Sequence, residues 1–448
     1  MRITIVGGGE IGFALSEALS TDHEVFVVDR AAEVAERFEA LDVQFVHGRA
    51  TSPDVLERAG VAQADVLVAC TGLDEVNIVA CAIATGLGKP RAFCFVSREE
   101  FLGLHDDKGL AQFGIDRVVW PEAQLASNIE RIIRVPGALD AETFVEGAIE
   151  MVEYRLDRAS AFPGRSIAEL HLPHGSLIVA VRRGDSVFIP RGESTLALGD
   201  RIVVMGTPDA LRDVTERVTV VAGAGRQRVT IIGGGAVGLR IATQLEAQDE
   251  TDVTVVESDP RRGEVLAARL RRTLVLNGDG TDLELLESED VGRSDVLVSV
   301  IDNDERNLFA SLLGRQLGVR RIITRVSKRA NLRLFEHVGI DVAMSARGAA
   351  VESVLHQIHG GTTRLLAVVE EGAGRILELD IPEGYVSCSL RDLAPPLNSI
   401  VGAIVRGSHV VIPRGADRVQ AGDRLIVFTT HEAADQVRNY FANVKSQG

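Results

Sequence analysis

Cysteine is scarce in this chain: Cys70, Cys81, Cys94 and Cys388 are the four among 448 residues, and no two form a C-x-x-C spacing. Each lies in an apolar or loop context, which predicts a reduced, cytoplasmic chain with neither a disulfide framework nor a thiolate metal site. No apolar run approaches the ~20 residues a spanning helix needs. If this chain works at a membrane, it does so through a partner and without inserting. The N-terminus enters a β-rich run at once, with no charged n-region and no h-region, so no signal peptide is expected. Basic residues are outnumbered, 48 Lys and Arg against 64 Asp and Glu, for a formal charge of −16. That balance argues against a general nucleic-acid or anionic-lipid surface. Arg261-Arg262 and Arg271-Arg272 lie near a glycine-rich turn and Arg320-Arg321 precede a buried strand; they read mostly as solvated faces, with local basic patches as the alternative. The ten histidines form no His-x-x-x-His or Ser/His/Asp set, and no paired carboxylates stand out.

What is present is one stretch carried twice. Residues 3–29 run from Ile-Thr-Ile-Val through Gly7-Gly8-Gly9-Glu10-Ile11-Gly12 and a helical segment to Val-Phe-Val-Val-Asp29. Residues 229–257 run from Val-Thr-Ile-Ile through Gly233-Gly234-Gly235-Ala236-Val237-Gly238 to Val-Thr-Val-Val-Glu257. Strand, glycine turn, helix, strand and acid is the context in which Gly-x-Gly-x-x-Gly means dinucleotide binding. The first glycine allows the turn, the second admits a pyrophosphate to the backbone, and the third lets the helix pack closely. The phosphates meet a helix N-terminus, whose free N–H groups and dipole favour an anion. Asp29 and Glu257, about 20 residues on, are placed for a ribose hydroxyl, which favours NAD or adenosine over NADP.

At this length two to four domains are expected. Residues 1–120 alternate strands (2–6, 24–28, 43–47, 66–70, 92–96, 117–119) with helices (10–19, 32–40, 53–59, 75–85). Short, continuous, β-branched strands of this kind predict one parallel Rossmann-like sheet. Residues 121–140 read as an amphipathic crossover helix and linker, and 141–220 as a small domain of short strands with a hairpin at Arg183-Gly184-Asp185. A Gly-rich linker spans 219–227, and the plan then repeats. A second nucleotide-binding domain covers 228–346, a second crossover helix 347–362 and a second small domain 363–445. Asp74-Glu75-Val-Asn77 returns as Asp304-Glu305-Arg-Asn307, and Gly-Ile-Asp116 as Gly-Ile-Asp341. Arg183-Gly184, Pro190-Arg-Gly192 and Gly199-Asp200-Arg201 return at a constant offset of 223 as Arg406-Gly407, Pro413-Arg-Gly415 and Gly422-Asp423-Arg424.

Asp74-Glu75 and Asp304-Glu305 admit two readings, acids on a helix N-terminus or groups beside a ligand at the carboxyl edge of the sheet. Ile-Pro-Arg-Gly reads as a strand end and turn, with a small-molecule or cyclic-dinucleotide loop as the sharper alternative. His356 and His359 share one helix face, either as surface residues or as a pH-sensing or metal pair. The apolar stripes on 121–133 and 349–358 are core by default.

On these motifs the chain resembles the tandem RCK (KTN) proteins of the TrkA family, the Trk system potassium uptake proteins. The resemblance covers nearly the whole chain, and its tandem form sets it apart from single-copy KtrA-type gating proteins. It implies an α/β fold of two Rossmann-like nucleotide-binding domains, each followed by a small α+β RCK C-terminal subdomain. It further implies a cytoplasmic regulatory subunit that binds NAD(H) and ATP or ADP, and only the resemblance implies dimerisation surfaces on the stripes at 121–133 and 349–358. Such a subunit forms a tetrameric gating ring, peripheral on the inner membrane face, against a membrane potassium-translocating subunit of the TrkH/TrkG type. The binding positions implied in the first half are Gly7, Gly8, Gly9, Glu10, Ile11, Asp29, Thr51, Cys70 and Thr71. In the second half they are Gly233, Gly234, Gly235, Ala236, Val237, Glu257, Asp279, Thr281, Val300 and Arg325. The halves depart from the family pattern unequally: Arg49 stands where the second half has Asp279, and Phe95 where it has Arg325. Phe cannot replace the planar donor fork of an arginine, so the two sites are expected to prefer different ligands.

Two function classes follow. A ligand-gated regulator needs only binding that differs between two arrangements of its domains. An NAD-dependent oxidoreductase needs a proton-transfer residue and a substrate pocket beside the nicotinamide, which the small domains hardly supply.

Overall fold

Short runs of aliphatic residues, apolar on both faces, build the first parallel sheet. The computed structural model describes residues 1–98, 101, 111–184, 186–219, 226–248, 250–358, 363–369, 374–407 and 409–442. In chain order the first sheet uses β1 (Arg2–Val6), β2 (Glu24–Asp29), β3 (Val43–His47), β4 (Val66–Ala69), β5 (Arg91–Phe95) and β6 (Arg117–Val119). Between them run α1 (Glu10–Leu19), α2 (Pro53–Arg58) and α3 (Asp74–Leu87), and α4 (Pro121–Arg134) follows. Strand order is β3-β2-β1-β4-β5-β6, the doubly wound arrangement, with the switch point between β1 and β4. The segment expected as a helix at 32–40 is a 3-10 turn at Ala32–Phe38. Ala31 precedes it and offers no side-chain cap.

The next sheet is antiparallel: β7 (Ala138–Phe144), β8 (Ile149–Arg155), β9 (Ser176–Arg183), β10 (Ser186–Phe188) and β11 (Arg201–Gly206), followed by α5 (Pro208–Val218). Its order is β10-β9-β11-β8-β7. Strand β7 begins within the stretch read as linker, and its acid-rich sequence hides an edge strand that, among the described residues, pairs only with β8. The expected β9–β10 hairpin is present, with Arg183 paired to Ser186; Asp185 lies outside the described residues, as do residues 220–225 of the linker.

The second half repeats both sheets. The parallel one comprises β12 (Gln227–Ile232), α6 (Ala236–Glu246), β13 (Thr251–Glu257), α7 (Pro260–Arg269), β14 (Leu274–Asn277), α8 (Leu283–Ser288), β15 (Val296–Ser299), α9 (Asp304–Gln316), β16 (Arg321–Arg325), α10 (Arg329–His337) and β17 (Val342–Met344). Helix α11 (Ala346–Ile358) leads to β18 (Thr363–Val369), β19 (Gly374–Asp380), β20 (Cys388–Ser389), α12 (Leu390–Leu393), β21 (Ser399–Arg406), β22 (His409–Val411), β23 (Arg418–Val419), β24 (Arg424–Thr430) and α13 (Ala434–Ala442). The parallel order is β14-β13-β12-β15-β16-β17 and the antiparallel order β18-β19-β24-β21-β22. His359 lies outside the described residues, as does the side chain of His356.

By contacts the chain divides into two compact units. The first comprises Met1–Ser127, Val229–Ala247 and Val253–Ile358, and so holds both parallel sheets. Within it the crossover helices are exchanged. Ala350, Val354, Leu355 and Ile358 of α11, in the second half, complete the core of the first sheet with Ile3, Ile5, Leu15 and Phe93. Reciprocally, Ser127 at the middle of α4 accepts from Gln244 of α6 at 3.4 Å, and Arg240 of α6 lies 4.6 Å over the Trp120 ring. The stripe at 349–358 is therefore core, against the other half of the same chain.

The second unit comprises Asn128–Arg228, Gln248–Asp252 and His359–Gly448 and contains both small sheets. Strand periodicity decides its packing, because alternate residues face opposite sides. Ile202 and Val204 of β11 join Leu211 and Val214 of α5, whereas Val203 and Met205 join Ile426 and Phe428 of β24. Leu425 and Val427 of β24 in turn meet Val437 and Phe441 of α13. Each sheet is thus packed between its own helix and the other sheet. The repeated Arg-Gly and Gly-Asp-Arg motifs brace this unit. Arg183 holds Asp200 through two bonds of 2.8 and 2.7 Å, and Arg406 holds Asp423 through two of 2.7 Å. Both aspartates are buried and each also accepts a backbone N–H, from Ala197 and Gln420.

Candidate nucleotide-binding sites

The glycine turns lie at the carboxyl ends of β1 and β12, beside the switch points. Gly7 has φ 110° and Gly233 φ 104°, a region that glycine enters without strain. A Cβ on Gly7 would stand 3.0 Å from the Cys70 carbonyl and the Thr71 nitrogen, and one on Gly233 3.1 Å from the Ile301 nitrogen. These contacts bring Cys70, Thr71 and Val300 against the loops. The Cys70 thiol donates to the Gly7 carbonyl at 3.7 Å. Burial, with Asp29 nearby, pushes its pKa up to about 12, so it is a packing group and not a nucleophile. A Cβ on Gly12 or Gly238 would fall 1.8 or 1.9 Å from the carbonyl oxygen of Gly7 or Gly233, which accounts for the close start of α1 and α6. Around Gly9 nothing lies within 4 Å of such an atom, and around Gly235 only an Arg262 nitrogen at 3.9 Å. Open backbone at the second glycine of each loop is the cradle a diphosphate requires.

The acids close the loops. Asp29 accepts from the Gly8 N–H at 2.6 Å and the Ala31 N–H at 2.9 Å. Glu257 accepts from the Gly234 and Asp259 N–H groups at 2.8 Å each. Each carboxylate has about four lone-pair positions, and although Glu257 also accepts from the Ser258 hydroxyl at 3.5 Å, both acids keep a position for a ribose hydroxyl. Glu10, Ile11, Ala236 and Val237 occupy the first turns of α1 and α6. Thr51 and Thr281 stand in the turns after β3 and β14, and those turns abut the switch points: Ala50 packs with Val6, and Gly280 lies against Ile232. Asp279 accepts from the Thr281 hydroxyl at 2.7 Å and N–H at 2.9 Å and from Arg306 at 2.6 Å. These donors hold it below the usual carboxylate range.

Arg325 takes a different course from the rest of its set. It donates to Asp302 at 2.9 Å, and its Nε has no hydrogen-bond partner among the described residues. It lines a cavity of about 340 Å³ together with Ile11, Thr71, Phe95, Glu122 and Arg347, drawn from both parallel domains. Phe95 and Arg325 occupy equivalent strand ends, as Glu122 and Arg347 occupy equivalent helix starts, so the repeat has diverged in charge across this cavity. Arg347 also pairs with Glu10 at the first glycine loop. Sequence reasoning missed Arg347 and Glu122, whose positions at the first turns of the crossover helices were the available signal, and it read Arg262, near the second glycine loop, as part of a solvated face.

The Asp-Glu-x-Asn repeat meets the first of its readings, with Asp74, Glu75, Asp304 and Glu305 in the first turns of α3 and α9, and adds a clamp. Asn77 accepts from the Thr71 N–H at 2.8 Å and donates to the Thr71 and Phe95 carbonyls at 3.1 and 2.9 Å. Asn307 does the same with Ile301 and Arg325, at 2.7, 2.7 and 3.0 Å. Asp74 receives the Ser97 and Arg98 N–H groups, and Asp304 the Ser327 N–H. The motif clamps the ends of adjacent strands, keeping the carboxyl edge rigid under the sites. Asp116 and Asp341 similarly accept the Ala92 and Ile322 N–H groups at 2.7 and 2.8 Å.

Known family models match both halves of the chain. The TrkA-N domain matches residues 3–121 and 229–346, and the TrkA-C domain residues 151–219 and 376–442. The chain belongs to the TrkA family. It is 36% identical over 450 residues to the Trk system potassium uptake protein TrkA homolog 1 of Methanosarcina mazei, covering 98% of this chain and all of that one. To the homolog of Archaeoglobus fulgidus it is 34% identical over 445 residues (98% and 100%), and to TrkA of Haemophilus influenzae 29% over 441 (96% and 95%). Among solved structures, the GsuK RCK domain superposes with a TM-score of 0.60 at 20% identity, covering 98% of this chain and 95% of its own. A GsuK channel bound to NAD gives 0.60 at 19%, covering 98% and 79%. These likenesses bear out the RCK fold. The named relatives are potassium uptake proteins, and with that relationship the oxidoreductase alternative falls away. Among the described residues of this TrkA family member, no helix is long and apolar enough to cross a membrane.

Proposed function

We propose that this chain is a nucleotide-binding regulatory subunit of a Trk-type potassium uptake system, peripheral to the membrane and acting on a potassium-translocating subunit of the TrkH/TrkG type. NAD(H) and adenine nucleotides, ATP or ADP, occupy the glycine loops, held by Gly7–Ile11, Asp29, Thr51, Cys70 and Thr71 in one half. Gly233–Val237, Glu257, Asp279, Thr281 and Val300 hold them in the other, with Arg325 at the shared cavity. The observation that carries this reading is the pair of glycine loops at the two switch points, each open at its second glycine and backed by an acid. Both lie in one unit whose crossover helices are exchanged, so occupancy at either loop bears on the packing of both sheets. A ligand that prefers one arrangement shifts the population toward it, and a tetrameric ring would sum those preferences.

The test is the thermal midpoint of the purified chain with NADH, NAD, ATP and ADP in turn, followed by potassium flux through the reconstituted membrane subunit. A ligand binding only the folded state adds about 2.7 kcal/mol at a hundredfold excess over Kd. Midpoint shifts with NADH and an adenine nucleotide, no cofactor turnover, and ligand-dependent flux are the expected outcome. Absence of any shift would remove the sensor reading.

A further inference from the structure

The two glycine sites differ in the charged residues that flank the acid placed for a ribose. In the first half Asp29 is in register with His47, the Gly48 N–H donates to the Asp29 carbonyl at 2.8 Å, and the His47 ring lies 3.1 Å from the Arg30 carbonyl. Arg30 and Arg49 therefore leave adjacent strand ends on either side of the ribose acid, and both are exposed. In the second half Glu257 is in register with Asn277, and the Gly278 N–H donates to the Glu257 carbonyl at 2.9 Å. There Ser258 and Asp279 replace the two arginines, and Asp259 replaces Ala31. Two arginines in one site stand against two aspartates in the other.

In the second site Asp259 caps α7, accepting the Arg261 and Arg262 N–H groups at 2.9 and 3.5 Å. Arg306 is engaged with Asp279, and an Arg262 nitrogen lies 3.9 Å from where a Gly235 Cβ would be, on the diphosphate side. The first half has Val34 in place of Arg262, with Phe95 in place of Arg325. Of the other charged groups near the first acid, Arg58 donates to the His47 carbonyl at 3.3 Å and Arg37 lies 5.0 Å over the Phe13 ring. Asp29 itself is compensated by two N–H donors. We propose that the first glycine site accepts a dinucleotide phosphorylated on its adenosine ribose, NADP(H) in chemical class, whereas the second excludes it. This rests on the reading of the first loop as a dinucleotide site, and it revises for that half the preference its acid alone implied. A ribose phosphate brings nearly two negative charges, which a guanidinium fork meets and a carboxylate repels.

Calorimetric binding of NADH and NADPH to two full-length variants, each with one site open, tests it. Gly9→Val and Gly235→Val obstruct the diphosphate on extended-ψ backbone at φ −68° and −67°, where an added Cβ meets nothing within 4 Å at Gly9 and an Arg262 side-chain nitrogen at 3.9 Å at Gly235. With Gly235→Val, NADPH binds within about threefold of NADH; with Gly9→Val it binds at least ~20-fold more weakly. Adding Arg30→Ser and Arg49→Asp to the Gly235→Val chain lowers NADPH affinity at least ~10-fold and leaves NADH within about threefold. If the Gly235→Val chain binds NADH but rejects NADPH as firmly as the Gly9→Val chain does, the inference is overturned and the dinucleotide site stands. If it binds neither, with an unchanged melting midpoint, the first loop is no dinucleotide site and both readings fall.

Discussion

A methyl group at Gly12 would stand 1.8 Å from the Gly7 carbonyl oxygen, whereas one at Gly9 would touch nothing within 4 Å. Two glycines of one motif thus serve different links of the chain, one packing and one ligand approach. Gly12→Ala has to push α1 away from β1 and should cost about 2 kcal/mol or more in thermal unfolding. Gly9→Ala should melt within about 0.5 kcal/mol of the parent yet weaken nucleotide binding. Equal destabilisation by the two, with binding unchanged in Gly9→Ala, would remove the division of roles. Similar reasoning separates Asn77 from its neighbours: an amide making bonds to two strand ends is a structural clamp, even though it lies beside a ligand site.

At the scale of the element, edge strand β7 carries the least expected chemistry. Asp140 and Glu142 share the single Arg131 of α4, which donates to Glu142 at 2.7 Å. Burial pushes Glu142 up from an ordinary 4.5 to about 7, against the pull of Arg131 and with the help of Asp140; burial raises Asp140 as well. A carboxyl raised in the folded state binds more protons folded than unfolded. Its ionisation therefore removes stability as pH climbs from 4.5 to about 7, and below that window there is no penalty. Asp140→Asn keeps an acceptor for the Ala141 N–H and relieves the repulsion. It should stabilise the chain by about 1 kcal/mol at pH 8 and by almost nothing at pH 5. Melting curves at both pH values decide; the same difference at each would sink the account.

For the whole molecule, the consequential feature is the exchange of crossover helices inside one chain. Val354 and Ala350 are fully buried on the first sheet although they belong to the second half of the sequence. Val354→Asp buries an unpaired carboxylate there and should cost roughly 4 kcal/mol. Hydrogen exchange is the readout: amides of β1, β2, β4 and β5 should lose protection more than those of β12, β13, β15 and β16. Preferential loosening of the second sheet would contradict the exchange.

Much of this was legible along the chain, because what made it legible is local. A glycine turn needs particular φ values, a buried parallel strand needs a continuous apolar run, and a duplication preserves spacing; each is written within a few residues. The order strand, glycine loop, helix, strand, acid was therefore readable twice from sequence alone, as was the repeat of the small domains. The uncapped turn at Ala32–Phe38 and the edge strand β7 were not, since neither carries a periodic apolar pattern. Tertiary structure alone decided which sheet each crossover helix covers, because an amphipathic stripe states that a face is buried but not against what. It also decided that Arg183 and Asp200 form a brace, that Asn77 and Asn307 join strand ends, and that Arg325, Arg347 and Glu122 line one cavity. Those residues lie far apart in sequence, and only chain topology brings their charges to the same place.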